Sequence, residues 1–157
     1  MAQKYEKFGS RNFHPEGIGG TVGSHEGDVM YFGSTSVNAG RCYILDNTAE
    51  CEEGSAAEEC VQWTLADSDN ANTVNLMAVA CGTGAANSVG MLLRGMYTFT
   101  GGGVALANAG SPLYLTDDGN VSATVPTGSG DYIRIVGYTI IDNKMWFNPD
   151  NTTVKLA

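Results

Sequence analysis

The chain has 157 residues, about one domain's worth, and its 43% hydrophobic and 9% aromatic content argues against a disordered chain. Only 16% of residues are charged while 21 are glycine, a balance that favours a turn-rich β protein over a helical one. A net charge of −9 argues against a phosphate-gripping surface, and no run approaches the roughly 18 apolar residues of a membrane span, so neither nucleic acid nor membrane is expected as a partner.

Residues 1–26 read as an extended N-terminal arm and glycine-rich neck. Lys4, Lys7 and Arg11 alternate with Tyr5, Phe8 and Phe13, and a stretch at 17–23 follows that is too rich in glycine for a stable element. The alternative is a frayed terminus, but a basic and aromatic pattern on an acidic protein favours docking on an acidic neighbour. The first residues lack the apolar run of a secretory signal, so synthesis in a cytoplasm is expected.

From Gly27 onward the chain alternates short apolar runs with Gly, Asn and Asp turns. Strands are expected at 28–32, 42–45, 61–65, 74–81, 91–99, 113–116 and 121–125. A closing pair at 131–142 and 144–156 is joined at Asp142-Asn143. No amphipathic helix is expected. The fold class is all-β, an antiparallel sandwich or barrel, with one β-domain over 27–157.

An internal two-fold repeat is also expected, with halves at 27–99 and 100–157. Ala39-Gly-Arg-Cys-Tyr-Ile-Leu-Asp46 matches Ala109-Gly-Ser-Pro-Leu-Tyr-Leu-Thr-Asp117. Trp63-Thr-Leu-Ala66 takes the place of Ala123-Thr-Val-Pro126, and Val74-Asn-Leu-Met-Ala-Val79 that of Ile133-Arg-Ile-Val-Gly-Tyr138. Each half alone is too small to close a core, whereas two facing halves close one.

The residues suggest no reaction centre, and no catalytic residue, cofactor or metal is expected. His14 and His25 fall in the N-terminal segment, where nothing would hold an imidazole in register. Ser88 lacks a nucleophile elbow, and Gly82-Thr-Gly84 and Gly101-Gly-Gly103 have no lysine or helix after them to hold a phosphate. Asp67-Ser-Asp69-Asn70 carries a faint calcium pattern but reads first as a turn. The four cysteines fit no zinc spacing. Cys51 and Cys60 flank an acidic loop that a disulfide could close; free thiols, usual in a cytoplasm, are the favoured alternative. Tyr132, Trp146 and Phe147 read as interface or packing anchors. Arg94 and Arg134 lie in apolar strands and are expected to point outward, the alternative being pairing with carboxylates of another subunit.

The segments Gly27-Asp-Val-Met-Tyr-Phe-Gly-Ser34, Trp63-Thr-Leu-Ala-Asp67, Leu92-Leu-Arg-Gly95, Gly110-Ser-Pro-Leu-Tyr-Leu115, Gly128-Ser-Gly-Asp-Tyr-Ile-Arg-Ile-Val-Gly-Tyr138 and Trp146-Phe-Asn-Pro-Asp150, in that order, resemble a β-rich module of tailed-bacteriophage virion structural proteins. The resemblance covers 27–157 and leaves out the arm; the loop at 51–60 departs from it. It implies a capsid decoration (cement) or head-fibre protein on the capsid surface of the virion. Such a protein would bind the major capsid protein, often as a homotrimer, after synthesis in the host cytoplasm. A tail-fibre or receptor-binding module is the alternative, with Tyr114, Tyr132 and Trp146 gripping host glycans.

Overall fold

The computed structural model describes residues 24–47, 61–99, 108–141 and 143–157. The arm residues Lys4, Tyr5, Lys7, Phe8, Arg11 and Phe13, and Cys51 and Cys60 with their acidic loop, lie outside the described residues.

The chain is all-β. Its strands are β1 (Ser24–Met30), β2 (Ser36–Val37), β3 (Cys42–Asn47), β4 (Val61–Leu65), β5 (Met77–Ala80), β6 (Gly84–Ala85), β7 (Met91–Thr98), β8 (Pro112–Leu115), β9 (Val121–Ser122), β10 (Tyr132–Ile141), β11 (Lys144–Phe147) and β12 (Thr153–Lys155). One turn of helix, α1 (Ala86–Val89), and two 3₁₀ turns, Ala71–Val74 and Asp117–Gly119, complete the described elements. No helix among the described residues is long and apolar enough to cross a membrane. Ten strands form one antiparallel sheet in the order β4-β3-β5-β7-β11-β10-β8-β9, with β1 on β7 and β12 on β10. This sheet curls into a half-barrel.

The main core draws on both ends of that order. Cys42, Ile44, Met77, Val79, Cys81, Leu92 and Tyr97 meet Leu113, Leu115, Val136, Met145 and Phe147. A second cluster joins Tyr43, Trp63, Ala78, Ala80 and Met91 to Val37 of β2 and Ala86 of α1. The two-stranded β2–β6 sheet and α1 therefore cover the outer face of β3, β4, β5 and β7. Both faces of β5 are buried, which explains why Met77-Ala-Val-Ala80 is uniformly apolar rather than alternating. The indole Nε1 of Trp63 donates to the Phe32 carbonyl at 3.0 Å, and Asn87 N–H donates to the Gly33 carbonyl at 2.8 Å, tying the cover down.

β1 runs along the whole of β7, and Gly27 stands opposite Gly95. Both have φ near +145°, and a Cβ on either would overlap a backbone carbonyl of the other strand, that of Arg94 or of Glu26. Only glycine permits this approach. A bulge between Asp28 and Val29 leaves Leu93 without a partner and reverses which residues of β7 face the core.

The two halves share a bonding scheme. β3 has β4 on one side and β5 on the other, with β7 beyond β5; β8 has β9 and β10, with β11 beyond β10. Each scheme is entered by the same tripeptide, Asn38-Ala39-Gly40 or Asn108-Ala109-Gly110, with its glycine at φ +76° or +81°. Gly40 N–H donates to Ala80 at 2.9 Å and Ala80 N–H returns to Arg41 at 3.0 Å. Gly110 N–H donates to Thr139 at 2.7 Å and Thr139 N–H returns to Ser111 at 2.9 Å.

Several sequence expectations need correction. His25 is held in β1 opposite Tyr97, half-buried, because the strand begins at Ser24, within the stretch assigned to the neck. Burial lowers its pKa, and its Nδ1 is buried without a hydrogen-bond partner. Arg134 does not point outward: it is 1% exposed. Its Nε donates to the Asp150 carbonyl at 2.7 Å, and its Nη1 donates to the carbonyls of Thr73 and Asn75. The expected strand at 74–81 begins at Met77, since residues up to Val74 form the 3₁₀ turn that Arg134 clasps.

Candidate functional site

Two features of the described surface stand out, an acidic cluster and an open sheet face. The cluster forms where three turns meet. Asp67 and Asp69 follow β4, Asp117 follows β8, and Asp131 precedes β10. Tyr132 N–H donates to the Ser68 carbonyl at 2.7 Å, which draws the first turn onto the start of β10. Oxygens of Asp67, Asp69 and Asp117 lie within 4.8 Å of one another, a spacing that a hard cation could bridge. The cluster also supplies its own partners. The buried Ser68 hydroxyl donates to Asp117 Oδ1 at 2.5 Å, Asp69 N–H donates to Asp67 Oδ1 at 3.0 Å, and Gly128 N–H donates to Asp131 Oδ2 at 2.8 Å.

The pKa of Asp69 is raised, first by a hydrogen bond with Asp131 and then by the charge of Asp117. A carboxyl whose pKa is raised on folding favours the fold below its unfolded pKa and loses that contribution as pH rises through the folded value. Asp69→Asn is therefore expected to unfold at a higher temperature than the parent at pH 7. The gap should close on titration below the carboxylate range, as followed by circular dichroism melts. An unchanged melt at pH 7 would show that the carboxylates do not oppose folding.

The open face lies on the second half. Pairing places Pro112 opposite Tyr138, Tyr138 opposite Trp146, Trp146 opposite Met96 and Met96 opposite Glu26, giving one row across five strands. Tyr138 is 40% and Ile140 43% exposed, while Pro112, Tyr114, Met96 and Trp146 are half-buried. The Arg94 guanidinium lies over the Trp146 ring, 5.7 Å from its centroid. Among the described residues, no cluster like the one under β2, β6 and α1 covers this row.

Of the expected anchors, Phe147 is fully buried in the main core. Trp146 stands in the open row, and Tyr132 sits half-exposed at the start of β10 with the Lys155 ammonium 5.4 Å from its ring centroid. The structure does not bring the three into one site. Cys42 and Cys81 are free and buried, and desolvation pushes both thiols up to about 12, which keeps them protonated. Sequence reasoning missed the convergence of Asp117 and Asp131 on Asp67 and Asp69, because separate turns supply them. It also missed Tyr138, whose outward direction depends on a bulge between Ile135 and Gly137.

No protein-family model, no curated protein and no solved structure matches this chain.

Proposed function

We propose that this chain is a structural protein of a tailed-phage virion, a capsid decoration (cement) or head-fibre protein that binds the major capsid protein and reinforces the shell. The observation that carries this reading is the open row Pro112–Tyr138–Trp146–Met96. It is an apolar and aromatic sheet face, displayed on a packed β core and suited to burial against protein. Placement in a virion comes from the resemblance over 27–157. After synthesis in the host cytoplasm, the protein sits on the capsid surface as a homotrimer, and the arm residues Lys4, Tyr5, Lys7, Phe8, Arg11 and Phe13 contact the shell. Reinforcement is geometric. A contact of about 1,600 Å², repeated over the shell, resists internal pressure without strong individual contacts.

The internal repeat belongs to the same reading: 27–99 and 100–157 are two copies of one four-stranded unit. The matched Asn-Ala-Gly turns and the matched hydrogen bonds to Ala80 and Thr139 support it.

Purified protein is expected to co-sediment with expanded heads, and removal of residues 1–20 is expected to abolish that binding. Equal binding by the truncated chain would refute the arm's role. A second reading, a tail-fibre or receptor-binding module, is favoured by the neighbouring rings of Tyr138 and Trp146, which offer stacking surface to sugars. Glycan-array binding together with failure to bind heads would replace the first reading with the second.

A further inference from the structure

His25 begins a second row, on the inner face of the sheet. Pairing sets His25 opposite Tyr97, Tyr97 opposite Met145 and Met145 opposite Thr139, across β1, β7, β11 and β10. Tyr97 and Met145 belong to the main core, so the row faces inward. The imidazole is half-buried, and its Nδ1 is shielded from solvent with no hydrogen-bond partner. A neutral ring bears this at modest cost. In an imidazolium both nitrogens carry N–H and both need acceptors. Nδ1 has none among the described residues, and a buried unpaired charge costs more than a buried unpaired acceptor.

Neighbouring groups do not compensate. Tyr97 of β7 faces the ring with a phenol that burial makes harder to ionise. Met145 of β11 and Thr139 of β10 carry no charge. Cys42 of β3 and Cys81 after β5 share the inner core as protonated thiols. Arg134 of β10 is a cation, held by the carbonyls of Thr73, Asn75 and Asp150. Glu26 and Asp28 of β1, Arg94 of β7 and Lys144 of β11 are in register with the outer row instead. Burial lowers the pKa of His25, and no charge among the described residues contributes to the shift.

β1 can leave without dismantling the rest. Among the described strands it pairs with β7 alone, whose other side keeps β5 at Met91 and Leu92 and β11 from Gly95 to Thr98. Its apolar side chains, Val29 and Met30, are only partly buried.

We propose that β1 is an acid-released strand: protonation of His25 detaches Ser24–Met30 from β7 while the remaining sheet stays folded. Release leaves β7 with an open edge from Met91 to Thr98, able to take another strand. It also adds seven residues to the segment 1–23 that precedes the sheet. The trigger is built into the fold and acts whether the protein binds a shell or a glycan. Linkage sets its direction. In the released strand the imidazole regains its ordinary pKa of about 6.5, whereas in the sheet the value is lower. Released β1 therefore binds the proton more tightly. Release grows as pH falls from about 6.5 to the value in the sheet, then levels off.

Hydrogen exchange on the full chain, corrected for the chemical rate at each pH, tests this. Protection of the β7-bonded amides of 24–30 is expected to fall about tenfold between about pH 7.5 and about pH 5, within the roughly thirtyfold an ordinary imidazole can supply. Protection in β3 and β10 is expected to hold. His25→Phe is expected to abolish the response and His14→Phe to leave it intact. Should His25→Phe not fold, NMR titration of the parent decides, with His25 expected below the ordinary value and the amides of 24–30 shifting in step. Protection independent of pH in the parent, or a response that persists in His25→Phe, overturns the proposal. So does an equal loss across the whole sheet, or a His25 that titrates at or above the ordinary value.

Discussion

Gly95→Ala is expected to separate β1 from β7 and to lower stability by about 3–4 kcal/mol, combining backbone strain with forced overlap. At Gly95 the φ of +145° disfavours any side chain, and the added Cβ would meet the Glu26 carbonyl and Gly27 Cα, neither of which can rotate away. The effect should appear as a fall in the thermal midpoint of about 10 °C for a domain of this size. Hydrogen exchange should speed up along 24–30 ahead of the rest of the sheet. Gly110→Ala is the informative comparison. Its φ is +81° but nothing lies within 4 Å of the added carbon, so about 1 kcal/mol of strain is expected. Equal losses at the two positions would show that the close crossing of β1 and β7 contributes nothing beyond conformational strain.

Arg134→Met is the second large effect, with an expected loss of about 3–5 kcal/mol in urea unfolding. Methionine roughly fills the volume but leaves the carbonyls of Thr73, Asn75 and Asp150 without their donor. The guanidinium bears a desolvation cost, seen in its lowered pKa, and three carbonyls on two separate segments offset that cost. Arg134→Lys should recover only part of the loss, because one ammonium cannot reproduce the spread of the planar fork. A loss under about 1 kcal/mol for Arg134→Met would mean that the 3₁₀ turn at 71–74 holds without the clasp.

Local chemistry made some of this architecture readable in the sequence. β4 has the expected bounds at Val61 and Leu65, with Trp63 at its centre buried in the outer cluster. The closing hairpin turns between Ile141 and Lys144, where a turn was expected, with Asn143 at φ +62°, a conformation asparagine tolerates. What was not readable depends on contacts between distant segments. β2, β6 and α1 are too short to show a period, and they exist because they cover Trp63 and Met91. Arg134 looks like any alternating polar residue on a strand; only the 3₁₀ turn brought beneath it makes it a core residue. The four clustered aspartates are turn residues one by one, and only the curl of the sheet gathers them. Tyr138 reads as core or surface according to a bulge that leaves no mark on the local pattern.

The central claim is that this chain is a shell-bound virion component acting through packing surfaces, and electron cryomicroscopy of the particle that carries it tests that claim most directly. The account predicts density for the half-barrel on the outside of the head, with the Tyr138–Trp146 face and the N-terminal arm in contact with the major capsid protein. Density at a tail-fibre tip, or particles whose shells lack the protein altogether, would contradict it.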